Sequence, residues 1–255
     1  MSNPQNSFVW YELMTSDMGA AERFYRAVVG WDAQDSGQTG MRYTLFTNGS
    51  DMGVAGLMDL PPDARAAGMQ PRWVGYVGVP DADQAATRLA QGGGAVHKHP
   101  ADIPNVGRFA IVADPQGAMF ALFQPASDPC GAAPPSPAGW HELRTSDWES
   151  ALAFYSGQFG WTKAESFDMG AMGVYQLFAA NGAPVGAMMN GPGGQMPTPA
   201  WLFYFKVGGI EQAAERIRSN GGQVMQEPHE VPGGEWIVHA TDPQGALFAL
   251  VGPRN

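Results

Sequence analysis

The apolar run from Phe8 to Thr15, broken only by Glu12 before its end, reads as a strand rich in aromatic residues. The pattern then changes period. Ala21, Phe24, Tyr25, Val28 and Val29 fall on one face of a helix that Ser16 or Asp17 can cap and Gly30 ends. Short apolar runs at 42–47 and 54–58 read as strands separated by glycine-rich turns. The pattern then restarts. Residues 73–79 read as a strand and 82–91 as a helix with Ala85, Ala86 and Leu89 inward, stopped by Gly92-Gly93-Gly94. Strands near Val96, over 109–113 and over 119–123 follow. Each half of this stretch is a strand–helix–strand–strand–strand unit.

The same order occurs a second time. Trp10-Tyr11-Glu12-Leu13-Met14-Thr15-Ser16-Asp17 returns as Trp140-His141-Glu142-Leu143-Arg144-Thr145-Ser146-Asp147, and Asp114-Pro115-Gln116-Gly117 as Asp242-Pro243-Gln244-Gly245. In the second copy Ser146 and Glu149 have capping-box spacing before Leu152, Tyr155 and Phe159. Strands over 174–179, 185–189, 201–207, near Val224, over 236–241 and 247–251, and a helix over 210–220, complete the copy. The offset, 142 − 12 = 130 residues, is the size of a domain rather than of a solenoid repeat. The expected organisation is an α+β protein of two modules, 1–124 and 140–255, joined by a Pro/Ala-rich linker at 125–139.

Composition narrows the partners. A net charge of −10 argues against a nucleic-acid backbone or an anionic membrane surface. No apolar run approaches the ~20 residues that span a bilayer. The first residues lack the basic and apolar regions of a signal peptide, and the single cysteine, Cys130 in the linker, fits a reducing compartment. A cytoplasmic protein, monomer or homodimer, is expected.

Four such units in two pairs, with Ser-Asp before a helix ending in Phe-Tyr…Gly-Trp and an Asp-Pro-Gln-Gly turn before the last strand, resemble the vicinal oxygen chelate superfamily of glyoxalases, antibiotic-resistance proteins and extradiol dioxygenases. The resemblance implies curled mixed sheets that enclose a cavity in each module. It also implies a divalent metal held by His, Gln or Glu, which stabilises an enediolate or oxyanion as a Lewis acid. Carried over by position, the first ligand falls on Trp10 and Trp140, and the second near Met58 and Met188. The third falls near Trp73 and Trp201, and the last on Ala121 and Ala249. Tryptophan and alanine bind no metal, and a thioether is a poor ligand for a hard cation. The expectation is therefore metal-free, Trp-lined cavities, with a divalent metal at a site not recognised in the sequence as the alternative.

Glu12 and Met14 share a strand face with Trp10, as Glu142 and Arg144 do with Trp140. Tyr43 and Tyr175 are candidate neighbours. Each carboxylate could act as a general base or hydrogen-bond a polar ligand amid apolar walls. It could equally be structural, bonded to backbone amides or a nearby cation. Three functions follow. The first is binding of a small organic molecule, as in the resistance proteins of the family. The second is a glyoxalase-type lyase or isomerase, or a dioxygenase, using Glu12 and Glu142 or an unrecognised metal. The third is a structural protein with plugged cavities.

Overall fold

The computed structural model describes residues 5–38, 40–49, 52–126, 136–191 and 199–255. Most of the linker, with Cys130, lies outside them.

The first half-module is β1 (Phe8–Thr15), α1 (Met18–Val29), β2 (Asp32–Asp35), β3 (Tyr43–Thr47) and β4 (Gly53–Asp59). A short helix, α2 (Pro62–Ala66), leads to β5 (Arg72–Gly78), α3 (Ala82–Gln91), β6 (Ala95–Ile103), β7 (Gly107–Ala113) and β8 (Met119–Pro125). The second copy runs β9 (Ala138–Thr145), α4 (Trp148–Phe159), β10 (Thr162–Asp168), β11 (Val174–Ala180) and β12 (Ala183–Asn190). It closes with β13 (Ala200–Lys206), α5 (Ile210–Ser219), β14 (Gln223–Glu230), β15 (Trp236–Thr241) and β16 (Leu247–Gly252). Two open, mixed, eight-stranded sheets result, ordered β2-β3-β4-β1-β5-β8-β7-β6 and β10-β11-β12-β9-β13-β16-β15-β14. The expected α+β class and doubled βαβββ plan hold.

Local chemistry sets the helix ends. Asp17 accepts from the Ala20 amide at 3.0 Å, and Gly30 closes α1 at φ 87°, a left-handed conformation glycine adopts without steric cost. The second copy departs from the expected capping box. Asp147, not Ser146, caps α4, accepting from the Glu149 and Ser150 amides at 3.1 and 3.2 Å. Ser146 donates its hydroxyl proton to Gln116 instead. A charged carboxylate that satisfies two orphan amides displaces a serine one residue earlier.

By packing, the chain forms two compact units that do not follow the sequence repeat. One contains Met1–Val9, Gly75–Ala133 and His141–Trp201; the other contains Trp10–Val74, Pro134–Trp140 and Leu202–Asn255. Each unit therefore draws on both copies of the repeat. In the first, Trp161 stacks on Phe178 and Tyr155 at centroid distances of 4.6 and 5.1 Å, with Trp201 edge-on. In the second, Trp31, Trp73 and Phe205 meet within 4.6–6.1 Å. Each such aromatic pair adds roughly 0.5–1.5 kcal/mol beyond its buried area.

Each core is fastened by a Trp–Tyr–Asp chain. Trp73 Nε1 donates to the Tyr25 hydroxyl at 2.8 Å, and that hydroxyl donates to Asp242 Oδ2 at 3.2 Å. In the other unit Trp201 donates to Tyr155 at 3.0 Å and Tyr155 to Asp114 at 3.2 Å. The other oxygen of each aspartate shapes its own turn. Asp114 Oδ1 accepts from the Gln116 and Ala118 amides, both at 2.9 Å, as Asp242 does from Gln244 and Ala246. The helix of one repeat is thereby tied to the Asp-Pro-Gln-Gly turn of the other.

Candidate functional site

In the second compact unit, β1 pairs in parallel with β4, placing Glu12 opposite Gly56 and Met14 opposite Met58. Tyr43, on the antiparallel neighbour β3, lies opposite Met58. Trp10, Glu12, Met14, Tyr43 and Met58 therefore share one face of the sheet, as expected from the alternation along β1. Glu12 is buried, 6% exposed, while Trp10, Tyr43 and Met58 are partly exposed around it. The Tyr43 hydroxyl donates to Glu12 Oε2 at 2.9 Å and accepts from Trp10 Nε1 at 3.2 Å. Burial, reinforced by the Glu12 charge, pushes the Tyr43 pKa far above the usual tyrosine value. Tyr43 thus stays a donor to the carboxylate.

β4 makes this arrangement possible. Gly53 and Gly56 present bare backbone beneath the Trp10 and Tyr43 rings, which lie where side chains would otherwise stand.

The counterpart in the first unit is built differently. β9 pairs in parallel with β12, with Glu142 opposite Ala187 and Arg144 opposite Met189. The Tyr175 hydroxyl donates to Glu142 Oε2 at 3.1 Å, and Arg144 Nε donates to Glu142 Oε1 at 2.7 Å. This ion pair is buried, its side chains 13% and 4% exposed. Trp140, at the start of β9, is half-buried and belongs to the other compact unit.

Three expected positions fall elsewhere. Met188 lies opposite Leu143, on the reverse face, and is fully buried; Met189 is the counterpart of Met58. The offset has grown from 130 to 131 residues (189 − 58) by β12, and one residue of slip turns a side chain to the other face. Trp73 and Trp201 also face away from the last ligand-equivalent positions. Tyr76 pairs with Ala121 and Tyr204 with Ala249, so alternation puts each tryptophan on the reverse face. There they donate to Tyr25 and Tyr155 in the cores.

One polar pair had no expectation. The Tyr204 hydroxyl lies 2.8 Å from His239 Nε2, both buried and on the Ala249 face. The only hint in the sequence was that His239 stands where the first copy has Ile111.

The fold family implies a divalent metal held by side chains on these faces. Among the described residues no group of three or more His, Cys, Asp or Glu side chains stands together. Glu12 is surrounded by indole, phenol and thioether groups, and Glu142 is already neutralised by a guanidinium. This donor set does not suit a hard cation.

The doubled βαβββ plan of two open, mixed sheets defines the class. Residues 7–122 and 138–250 match the Glyoxalase/Bleomycin resistance protein/Dioxygenase superfamily, and the chain belongs to it. Among its relatives, "Putative glyoxylase CFP32" of Mycobacterium bovis is 34% identical over 250 residues, covering 96% of this chain and 94% of that protein. "Anthracycline biosynthesis protein DauV" of Streptomyces sp. strain C5 is 32% identical over 264 residues, covering 96% and 93%. The Mn(II)-bound glyoxalase from Novosphingobium aromaticivorans is similar in fold, with a TM-score of 0.66 at 15% identity over 98% of this chain and 83% of that one. The 2,3-dioxygenase LapB from Pseudomonas sp. KL28 gives 0.64 at 14% identity, covering 94% and 90%. No helix among the described residues is long and apolar enough to cross a membrane.

Proposed function

We propose that this protein binds a small, partly apolar organic molecule on the face around Trp10, Glu12 and Tyr43 and on that around Glu142 and Tyr175, without a divalent metal. The observation that carries this reading is the buried Glu12 carboxylate, fixed by Tyr43 beneath partly exposed aromatic and thioether groups. Such a surface offers apolar contact at its rim and one oriented acceptor at its base, the usual composition of a small-molecule site. The relatives named for anthracycline biosynthesis support an organic ligand of aromatic character. The test is a thermal-shift screen of aromatic compounds, run with and without a chelator, beside elemental analysis of the purified chain. A ligand that raises the melting temperature equally in both buffers is expected. A stoichiometric metal whose removal abolishes binding overturns the metal-free reading.

A second reading is a lyase or isomerase that uses the carboxylates as proton acceptors. It is favoured by the Tyr43–Glu12 hydrogen bond, which pairs an oriented base with a phenolic donor. Glu12→Gln and Glu142→Gln should then abolish turnover while sparing the fold. Unchanged turnover in both variants would exclude it.

A further inference from the structure

The two faces differ at one position that the fold leaves free. Two residues beyond the carboxylate stands Met14 in one copy and Arg144 in the other. Met14 shows that the strand pairing needs no cation there. Among the described residues, the guanidinium makes one hydrogen bond, Nε to Glu142 Oε1 at 2.7 Å. Among the described residues the four hydrogens on its two terminal nitrogens have no acceptor, although the side chain is only 13% exposed. A guanidinium presents a planar fork suited to a carboxylate or an enolate-like oxygen pair. The opposite-strand neighbour Met189 and the half-buried Tyr175 border this strand face with apolar surface.

We infer that Arg144 is an anion-anchoring, specificity-determining residue, and that the face around Glu142 takes an acidic aromatic ligand, whereas the face around Glu12 takes a neutral one. Glu142 holds Nε, and the two terminal nitrogens are the part of the fork that would meet the ligand. The inference rests on the small-molecule reading above.

The experiment is calorimetric titration of the full chain with two probes of equal size, 2-naphthoate and 2-naphthol. Wild type should bind both. Arg144→Met should weaken 2-naphthoate at least roughly tenfold, the expected loss of a charge-assisted bidentate contact, and leave 2-naphthol within about twofold. Because Arg144→Met strands a buried carboxylate, the double variant Glu142→Gln/Arg144→Met is measured beside it and should show the same selective loss. Met14→Arg should create a second 2-naphthoate site. If 2-naphthoate binds both Arg144 variants as it binds wild type, the anchoring role is overturned while the small-molecule reading stands. If neither probe binds wild type, both are overturned.

Discussion

A methyl group placed on Gly56 would overlap the Tyr43 hydroxyl, which sits directly over that backbone. The hydroxyl can hold Glu12 only because position 56 has no side chain. Gly56→Ala should therefore rotate Tyr43 off Glu12 and crowd Trp10, at a cost of roughly 1–3 kcal/mol for overpacking. Urea denaturation reads that cost. A matching loss of ligand-induced thermal shift reads the displaced hydroxyl. The second copy has Ala187 there, and Tyr175 reaches Glu142 at 3.1 Å by a different path. Ala187→Gly should leave Tyr175 bonded.

The Trp–Tyr–Asp chains should behave as fold elements rather than site elements. Tyr25→Phe removes the acceptor of Trp73 and the donor to Asp242 together. Each buried polar group left without a partner costs about 1–3 kcal/mol. Tyr155→Phe should cost a similar amount in the other unit, and Trp73→Phe less than Tyr25→Phe. Denaturation midpoints order these variants. Equal midpoints for Tyr25→Phe and wild type would show that the chain contributes nothing.

The aspartates in these chains give an unusual pH dependence. Burial raises the pKa of Asp114 and Asp242, and the amide and tyrosine hydrogen bonds offset this only in part. A folded pKa above the unfolded one means that the native state binds the proton more tightly. The stabilisation from such a group is full below the unfolded value, about 3.9, and is lost as pH rises through the folded value. Asp242→Asn does not titrate. Its urea midpoint relative to wild type should fall as pH is lowered from 7 towards 4, because only wild type gains. A gap that stays constant across that range contradicts the raised pKa.

Arg144 and Glu142 should show strong coupling in stability. Arg144→Met alone strands a buried carboxylate, at a cost of about 3–5 kcal/mol. Glu142→Gln with Arg144→Met removes both charges and should recover most of that loss, since well-packed neutral replacements are often tolerated. A double-mutant cycle measures the difference. Additive single losses would mean that the pair acts as two independent groups.

The legible parts of the fold were those with local periodicity. β1, α1 and the first helix stop could be read because an aromatic-rich apolar run, a 3.6-residue stripe and Gly30 act within a few residues of one another. β2 and β10 could not. Most of their side chains are exposed and polar, and they are strands only through pairing with β3 and β11. In the site, Trp10, Glu12 and Met14 were legible because one strand carries them all. Met188 was misplaced because the net one-residue change in offset by β12 inverts the face, and single-strand alternation cannot reveal length changes between strands. Trp73 and Trp201 were placed by likeness of order, whereas their facing depends on the register with β8 and β16. The Tyr25–Asp242 bond spans 217 residues and leaves no local trace.

The two compact units impose an order on biosynthesis. The unit that holds the N-terminal residues also needs segments up to Trp201, and its partner unit needs the strands that run to Asn255. A chain emerging from the ribosome therefore completes neither unit when its first repeat has been made. The first eight-stranded sheet is complete by then, but Tyr25 still lacks Asp242 and Trp73 still lacks Phe205 until the second repeat arrives. A premature stop after the first repeat would leave two half-units without their counterparts, so the duplication is an obligate feature of this chain's folding as well as of its sequence.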